Sequence, residues 1–370
     1  MKIALVYDMP YPWHNGGIEY MLYNYAIELA KKHEVHFFTL RWPGMEKEFI
    51  YKGIHYHAFG NATEKTAYRH GRRSIREAAA FSLYSTALLG HKFDVIMTDL
   101  FPLLHLPFLR LQRSMRGSRL VLIASEVWDR AYWKKYIGAI GTFAYAYSKK
   151  AINAKATYIA ISSATANALK REGIKDGRIM TFAPVLESSL FKKTGKAKKG
   201  ADIIFSCRFI KEKRLDAWLN VVKEISKKRK IRAVLIGDGV EKDNLIAQIH
   251  RLGLEDTVTL KPFYKDKTKL YGEIAGASIL LNMSEREGLS IITMESVALG
   301  TPALIPKESP IPDEVKAMCT MEKEQRIAEK ALEMINSKDK RKYLRNTKNL
   351  ERFRIDNVNS FFSKLTSETG

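Results

Sequence analysis

Short apolar runs recur along the whole chain, each followed by a segment of helical length, and this alternation limits the fold more than any other feature. In the first half the runs fall at 3–7, 35–40, 54–58, 95–98, 120–124 and 158–161, with helical patterning over 18–32, 66–89, 131–153 and 163–171. In the second half they fall at 203–206, 233–236, 258–260, 279–282 and 303–305. Strands alternating with helices assemble into parallel sheets covered on both faces. Two such arrays in succession predict an α/β chain of two Rossmann-like, doubly wound domains facing across a cleft. The expected divisions are 1–185, a hinge over 186–200 with Gly195, Gly200 and a lysine-rich run at 192–199, then 201–345, and a last segment over 346–370. The stretch 339–365 is patterned as a long helix. Ligands of doubly wound sheets bind outside the carboxyl ends of the strands.

At 370 residues, 46% apolar and 28% charged, the chain can bury two separate cores. No apolar stretch reaches the ~18 residues of a spanning helix, and MKIALVYDMP reads as a buried first strand rather than a signal peptide. The two cysteines, Cys207 and Cys319, are far apart and lack ligand spacing, so neither a disulfide framework nor a zinc site is implied and a cytoplasmic setting is expected. The net charge of +22, carried by both halves, calls for an anionic partner such as phosphorylated ligands, an anionic membrane or nucleic acid.

The segment 284–306, SEREGLSIITMESVALGTPALIP, carries the densest chemistry. It follows the apolar run 277–283. Gly288, Leu289 and Ser290 form a short loop, Ser290 is an N-cap candidate, 291–299 is apolar-periodic, Gly300 suits the residue after the helix, and Pro302 stops it. A strand, a small-residue turn and a helix start together present backbone N–H groups and a positive dipole end to a phosphate. Glu287 and Glu295 stand eight positions apart, a rise of about 12 Å along a helix. A glycosidase-type carboxyl pair needs about 5 to 9.5 Å, so the two favour different parts of one elongated ligand.

Upstream, Arg208 lies just past a strand and Lys213 five residues on, before a helix. A guanidinium fork and a point charge there can neutralise a diphosphate. Gly237 and Gly239 in IGDGVE permit close backbone approach, though such a turn alone is a weak signal. Phe263 in LKPFY reads either as a packing residue or as a neighbour of an aromatic ligand.

These residues resemble the E-x7-E region of retaining nucleotide-sugar glycosyltransferases of the GT-B fold, glycosyltransferase family 4 (glycosyl transferases group 1). The likeness is strongest over 201–306 and extends to the Gly16–Gly17 turn and the surroundings of Glu126. It implies that Glu295 accepts hydrogen bonds from a nucleotide ribose and Glu287 lies against the transferred sugar. The amides of Gly288, Leu289 and Ser290 would face phosphate, and Arg208 and Lys213 the donor diphosphate. Gly237 and Gly239 would line the donor site, Phe263 would border the base, and Gly16 and Gly17 would contact donor phosphate. The last helix would pack back on the first domain. No cofactor is expected beyond the nucleotide diphosphate sugar as co-substrate, and no metal, since no Asp-x-Asp signature occurs.

One departure stands out. Many relatives carry a His immediately before Glu126, where this chain has Ser125, and a hydroxyl cannot act as a base near neutral pH. Glu126 or Asp99, each at a strand end, can orient an acceptor hydroxyl instead. The alternatives are a pseudo-transferase that binds nucleotide sugar or glycan without turnover, or a nucleotide-sugar epimerase on the same scaffold.

Arg69, Arg72, Arg73 and Arg76 are spaced to share one helix face. Arg110, Arg113 and Arg116 recur downstream, and Lys134 and Lys135 lie among Trp128, Tyr132, Trp133 and Tyr136. Clustered cations beside interfacial aromatics fit an anionic bilayer surface; a merely solvated face is the simpler reading. No nucleic-acid motif accompanies them. The expected activity is therefore transfer of a sugar from a nucleotide diphosphate to a hydroxyl of a lipid-linked or glycan acceptor. The expected location is peripheral, at the cytoplasmic membrane face.

Overall fold

The computed structural model describes residues 1–69, 72–191, 200–264 and 266–367; the lysine-rich run at 192–199, and with it most of the expected hinge, lies outside them. The chain divides into two compact units, Met1–Val185 with Arg352–Gly370, and Leu186–Glu351.

Unit 1 contains β1 (Lys2–Val6), β2 (Glu34–Leu40), β3 (Glu48–Tyr51), β4 (Ile54–Phe59), β5 (Tyr68–Arg69), β6 (Arg72–Arg73), β7 (Val95–Asp99), β8 (Arg119–Ala124), β9 (Thr157–Ala160) and β10 (Ile179–Thr181). Its main sheet runs β10-β9-β8-β7-β1-β2-β4-β3, parallel throughout except for β3, which is antiparallel to β4. Ile3 to Val6, Ile96, Met97 and Val121 to Ala124 have no exposed surface. Strands covered on both faces read as unbroken apolar runs. From β1 the chain winds first to β2 and then back to β7, so the β1/β7 boundary is the topological switch point.

Unit 2 contains β11 (Ile203–Ser206), β12 (Ala233–Ile236), β13 (Val258–Lys261), β14 (Ile279–Leu281), β15 (Ala303–Pro306) and β16 (Thr320–Glu322). They form one parallel sheet in the order β13-β12-β11-β14-β15-β16. Its switch point is the β11/β14 boundary.

Three helices expected from the sequence are broken. Residues 66–89 do not form one helix: β5 and β6 pair as a hairpin, with Tyr68 opposite Arg73 and Arg69 opposite Arg72. Helix resumes only at Ile75–Tyr84, capped by Ser74, whose Oγ accepts from the Glu77 N–H. Arg69, Arg72, Arg73 and Arg76 therefore share no helix face. Charge spacing misleads here because no apolar stripe follows the same period. The expected helix over 131–153 splits into Arg130–Ile137 and Gly141–Ile152. Gly138 sits at φ +69°, and a Cβ on Gly141 would lie 2.3 Å from the Trp133 carbonyl oxygen, so the second helix starts against the backbone of the first.

The expected long helix over 339–365 is instead a series of short 3₁₀ segments at 341–343, 347–353 and 355–357, then a helix at Val358–Ser367. The chain rejoins unit 1 at Arg352 rather than 346. There the Asn359 amide donates to the Glu28 carbonyl at 2.8 Å, at the end of the helix Gly17–Ala30. Arg119 donates to the carbonyls of Leu365 and Thr366 at 3.2 and 2.6 Å.

Candidate active site

In unit 2 the loops after β11, β12 and β14 converge at the carboxyl edge. Lys213 ends a 3₁₀ turn after β11, and Glu287 lies in the loop after β14. Lys213 Nζ stands 2.7 Å from Glu287 Oε1, so this ion pair spans the switch point. The two side chains are 18% and 10% exposed. Burial opposes the charge on Lys213, but Glu287 more than offsets it and raises the lysine pKa above its ordinary value. The next residue, Arg214, takes a left-handed φ of +46° and sends a two-pronged fork to Glu324 at 2.6 and 2.8 Å, which anchors the turn.

The two glycines after β12 hold the Arg208 loop in place. A Cβ at Gly237 would lie 2.0 Å from the Cys207 carbonyl oxygen, and one at Gly239 would lie 2.4 Å from that of Phe209. With no side chain between them the loops bond directly: Phe209 N–H donates to the Asp238 carbonyl at 2.7 Å and Glu241 N–H to the Phe209 carbonyl at 3.0 Å. Arg208 is partly exposed at the centre of this arrangement.

The loop after β14 is organised by Asn282, a residue the sequence reading passed over. Fully buried, it donates to Ser290 Oγ at 3.0 Å, to Thr293 Oγ1 at 3.3 Å and to Glu287 Oε1 at 3.4 Å, and accepts from Ser284 N–H at 2.9 Å. The helix runs Ile291–Ala298 with Ser290 before it, but Ser290 does not cap it as expected. It sits at φ +65°, and its hydroxyl is spent on Asn282 and Thr293. A non-glycine residue held there costs about 1 to 3 kcal/mol, a strain found at ligand sites. The N–H groups of Gly288, Leu289 and Ser290 find no acceptor among the described residues. Such unpaired donors at a helix start receive anions.

Glu295, one turn into that helix and 3% exposed, pairs with Lys267 Nζ at 2.8 Å and accepts from Tyr271 OH at 3.1 Å. Glu287 and Glu295 thus have separate partners. Phe263 is 40% exposed, so part of its ring is covered and part faces solvent.

In unit 1, Gly16 precedes the helix Gly17–Ala30 in extended conformation, and a Cβ on it would meet Glu19 Oε2 at 2.2 Å. Glu19 and Glu64 lie 3.1 and 3.2 Å from the two ring nitrogens of buried His14. Burial alone would depress this imidazole, but the two carboxylates beside it carry the pKa up to about 9. Asp99 ends β7 beside the switch point and is buried; it accepts from Phe101 N–H at 2.9 Å and Ser125 N–H at 3.2 Å. Burial outweighs those bonds and pushes its pKa up to about 7. Glu126 accepts from Trp128 Nε1 at 2.6 Å.

The expected membrane residues fare differently. Arg73 turns inward to pair with Asp8 at the end of β1. Trp128 and Trp133 are half-buried, ring centres 4.8 Å apart, within a cluster that includes Phe101 and Tyr136. Exposed apolar groups of unit 1 include Ile75 and Leu83 on the helix Ile75–Tyr84, Leu111 and Met115 on the helix Leu106–Arg116, and Ile140 and Phe143. Among the described residues no helix is long and apolar enough to cross a membrane, and no group of three His, Cys, Asp or Glu side chains is placed to hold a metal ion.

Two parallel α/β units, each with polar side chains gathered at its switch point, match two family profiles: Glycosyltransferase Family 4 over residues 15–184 and Glycosyl transferases group 1 over 187–350. The chain belongs to the GT-B glycosyltransferases of family 4. Its fold is similar to that of HepE of Anabaena in complex with UDP and glucose (TM-score 0.72, 16% identity, 99% of each chain covered). It is also similar to WaaG, a glycosyltransferase involved in lipopolysaccharide biosynthesis (0.73, 14%, 100% of each). A third similar structure is sucrose-phosphate synthase from Thermosynechococcus elongatus (0.78, 13%, 99% of this chain and 98% of that one). No curated protein matches the chain in sequence.

Proposed function

We propose that this glycosyltransferase uses a nucleoside diphosphate sugar, uridine diphosphate sugars being the first to test, and transfers the sugar with retention and without a metal. The reading rests on one observation: unpaired amides at 288–290 lie in the same loop as Glu287, which is ion-paired to Lys213 across the switch point. Arg208, Lys213 and the amides neutralise the diphosphate; Gly237 and Gly239 keep Arg208 in register; Glu287 positions the sugar; Glu295 holds the ribose; Phe263 borders the base. In the reaction the bond from the anomeric carbon to the phosphate oxygen breaks, and one to the acceptor oxygen forms on the same face. The acceptor proton leaves on the departing phosphate. Donors fixed before the reaction stabilise the charge that grows there. Glu287, tied to Lys213 and Asn282, is a positioning carboxylate rather than a free nucleophile, which favours this same-face route. In unit 1 Asp99 and Glu126 orient the acceptor hydroxyl in place of the imidazole that Ser125 lacks, and the Gly16–Gly17 turn contacts the donor phosphate.

The acceptor in this reading is a lipid-linked or glycan hydroxyl at the cytoplasmic membrane face. Exposed Leu111 and Met115 on the same helix as Arg110 and Arg113, and exposed Phe143 on the helix Gly141–Ile152, support peripheral docking of unit 1 on anionic lipid. A thermal-shift screen of nucleotide sugars, followed by nucleoside diphosphate release with and without acceptor extracts, tests the activity. No stabilisation by any nucleotide sugar overturns it. Flotation with anionic liposomes tests the docking; wild-type flotation by Leu111→Asp/Phe143→Asp refutes this face.

A further inference from the structure

The helix Lys267–Gly276 enters none of the roles above, yet it supplies both protein partners of Glu295. It begins after Asp266, whose carboxylate accepts from Thr268 N–H at 2.9 Å. Its far end is fastened by Thr301 Oγ1, which donates to the Ile274 carbonyl at 2.7 Å. Lys267 and Tyr271, four positions apart, therefore share one face of a helix held at both ends. The Lys267 ammonium lies 5.6 Å from the centre of the Tyr271 ring. Both donors end on the same carboxylate oxygen, Glu295 Oε1, at 2.8 and 3.1 Å. Among the described residues none donates to Oε2.

We infer that Lys267 and Tyr271 are positioning residues that occupy one oxygen of Glu295 and so aim the other at the vicinal hydroxyls of a ribose, making the enzyme selective for ribonucleotide over deoxyribonucleotide donors. A carboxylate carries acceptor sites on both oxygens. If both were free, the side chain could turn to satisfy a single hydroxyl. With Oε1 held, Oε2 stands in one place, and a ligand lacking the 2′-hydroxyl leaves part of a nearly buried acceptor unpaired. The loss expected for that is about 10- to 100-fold in affinity. The helix also carries Glu273, which holds Lys261 at 2.6 Å and Tyr264 OH at 3.2 Å. The same element thus fixes the segment that presents Phe263.

The inference rests on the nucleotide-sugar reading, and titrations separate the two. Uridine diphosphate and 2′-deoxyuridine diphosphate are titrated into wild type, Lys267→Met, Tyr271→Phe, Lys267→Arg, Glu295→Gln and Lys267→Met/Glu295→Gln, with melting temperatures recorded for each. The wild type should favour the ribonucleotide at least about tenfold. That preference should fall toward unity in Lys267→Met, fall less in Tyr271→Phe and persist in Lys267→Arg. The double variant should be no less selective than Glu295→Gln alone. A Lys267→Met that keeps the wild-type preference overturns the inference, as does one that weakens both ligands equally, which marks Lys267 as a direct ligand contact. Wild type that binds uridine diphosphate without preference overturns the inference while the donor reading stands. Wild type that binds no ribonucleoside diphosphate of any base overturns both.

Discussion

Lys213 Nζ and Glu287 Oε1, 74 positions apart in sequence, meet at 2.7 Å where the first strand of unit 2 adjoins its fourth. The pair joins a group assigned to the diphosphate with one assigned to the sugar, so removing either disturbs both ends of the bond to be broken. Glu287→Gln and Arg208→Ala should each lower kcat by about 10²- to 10³-fold; Arg208→Ala should leave the melting temperature nearly unchanged, whereas Glu287→Gln should lower it because Lys213 loses its partner. Nucleoside diphosphate release beside a thermal melt reads both quantities, and wild-type turnover in either variant removes the site assignment.

Gly237→Ala should act at a distance. The new methyl would fall 2.0 Å from the Cys207 carbonyl oxygen, an immovable neighbour, so the Arg208 loop must shift. Overpacking of this kind costs about 1 to 3 kcal/mol. The expected result is a lower urea midpoint together with a raised donor KM. An alanine variant with unchanged KM would show that the glycine does not keep Arg208 in register.

His14 makes stability depend on pH in a stated direction. Its pKa rises from 6.5 in the unfolded chain to about 9 in the fold. The native state binds more protons across that interval, so the contribution is complete below 6.5 and is lost as pH climbs through about 9. Urea midpoints for wild type and His14→Gln should converge on the alkaline side and separate on the acidic side. Parallel profiles would mean that the imidazolium contributes nothing.

Asp99 gives the turnover profile its own signature. Burial raises this carboxyl to about 7, so the ionised form able to accept from an acceptor hydroxyl becomes the majority only above that point. Turnover should rise through pH of about 7, and Asp99→Asn should lower it by about 10²-fold and flatten the slope. A wild-type rise that survives in Asp99→Asn assigns the titration to another group.

The strands were legible because burial on both faces leaves only apolar residues, as in Ile279–Leu281, and the helix Ile291–Ala298 because a loop of small residues precedes it and a glycine at φ +82° follows it. What escaped is set by pairing across sequence distance. Arg73 is drawn to Asp8, which no local period reveals. Ser290 cannot cap its helix because Asn282 claims its hydroxyl. Lys267 gains meaning only when the fold places Glu295 beside it. The edge strand β3, with alternating burial, was hidden by its exposed Glu48 and Ile50. A polar residue at the carboxyl end of an apolar run was the available signal for both Asp8 and Asn282.

The late return of the chain to unit 1 orders events during synthesis. Val358, Phe362 and Leu365 are buried on a body whose other residues end at Val185. At about 5 to 20 residues per second, roughly ten to thirty seconds separate emergence of the two parts. Throughout that interval the part of unit 1 that this last helix covers, where the His33 ring centre lies 5.6 Å from that of Phe362, stays open to water on the nascent polypeptide.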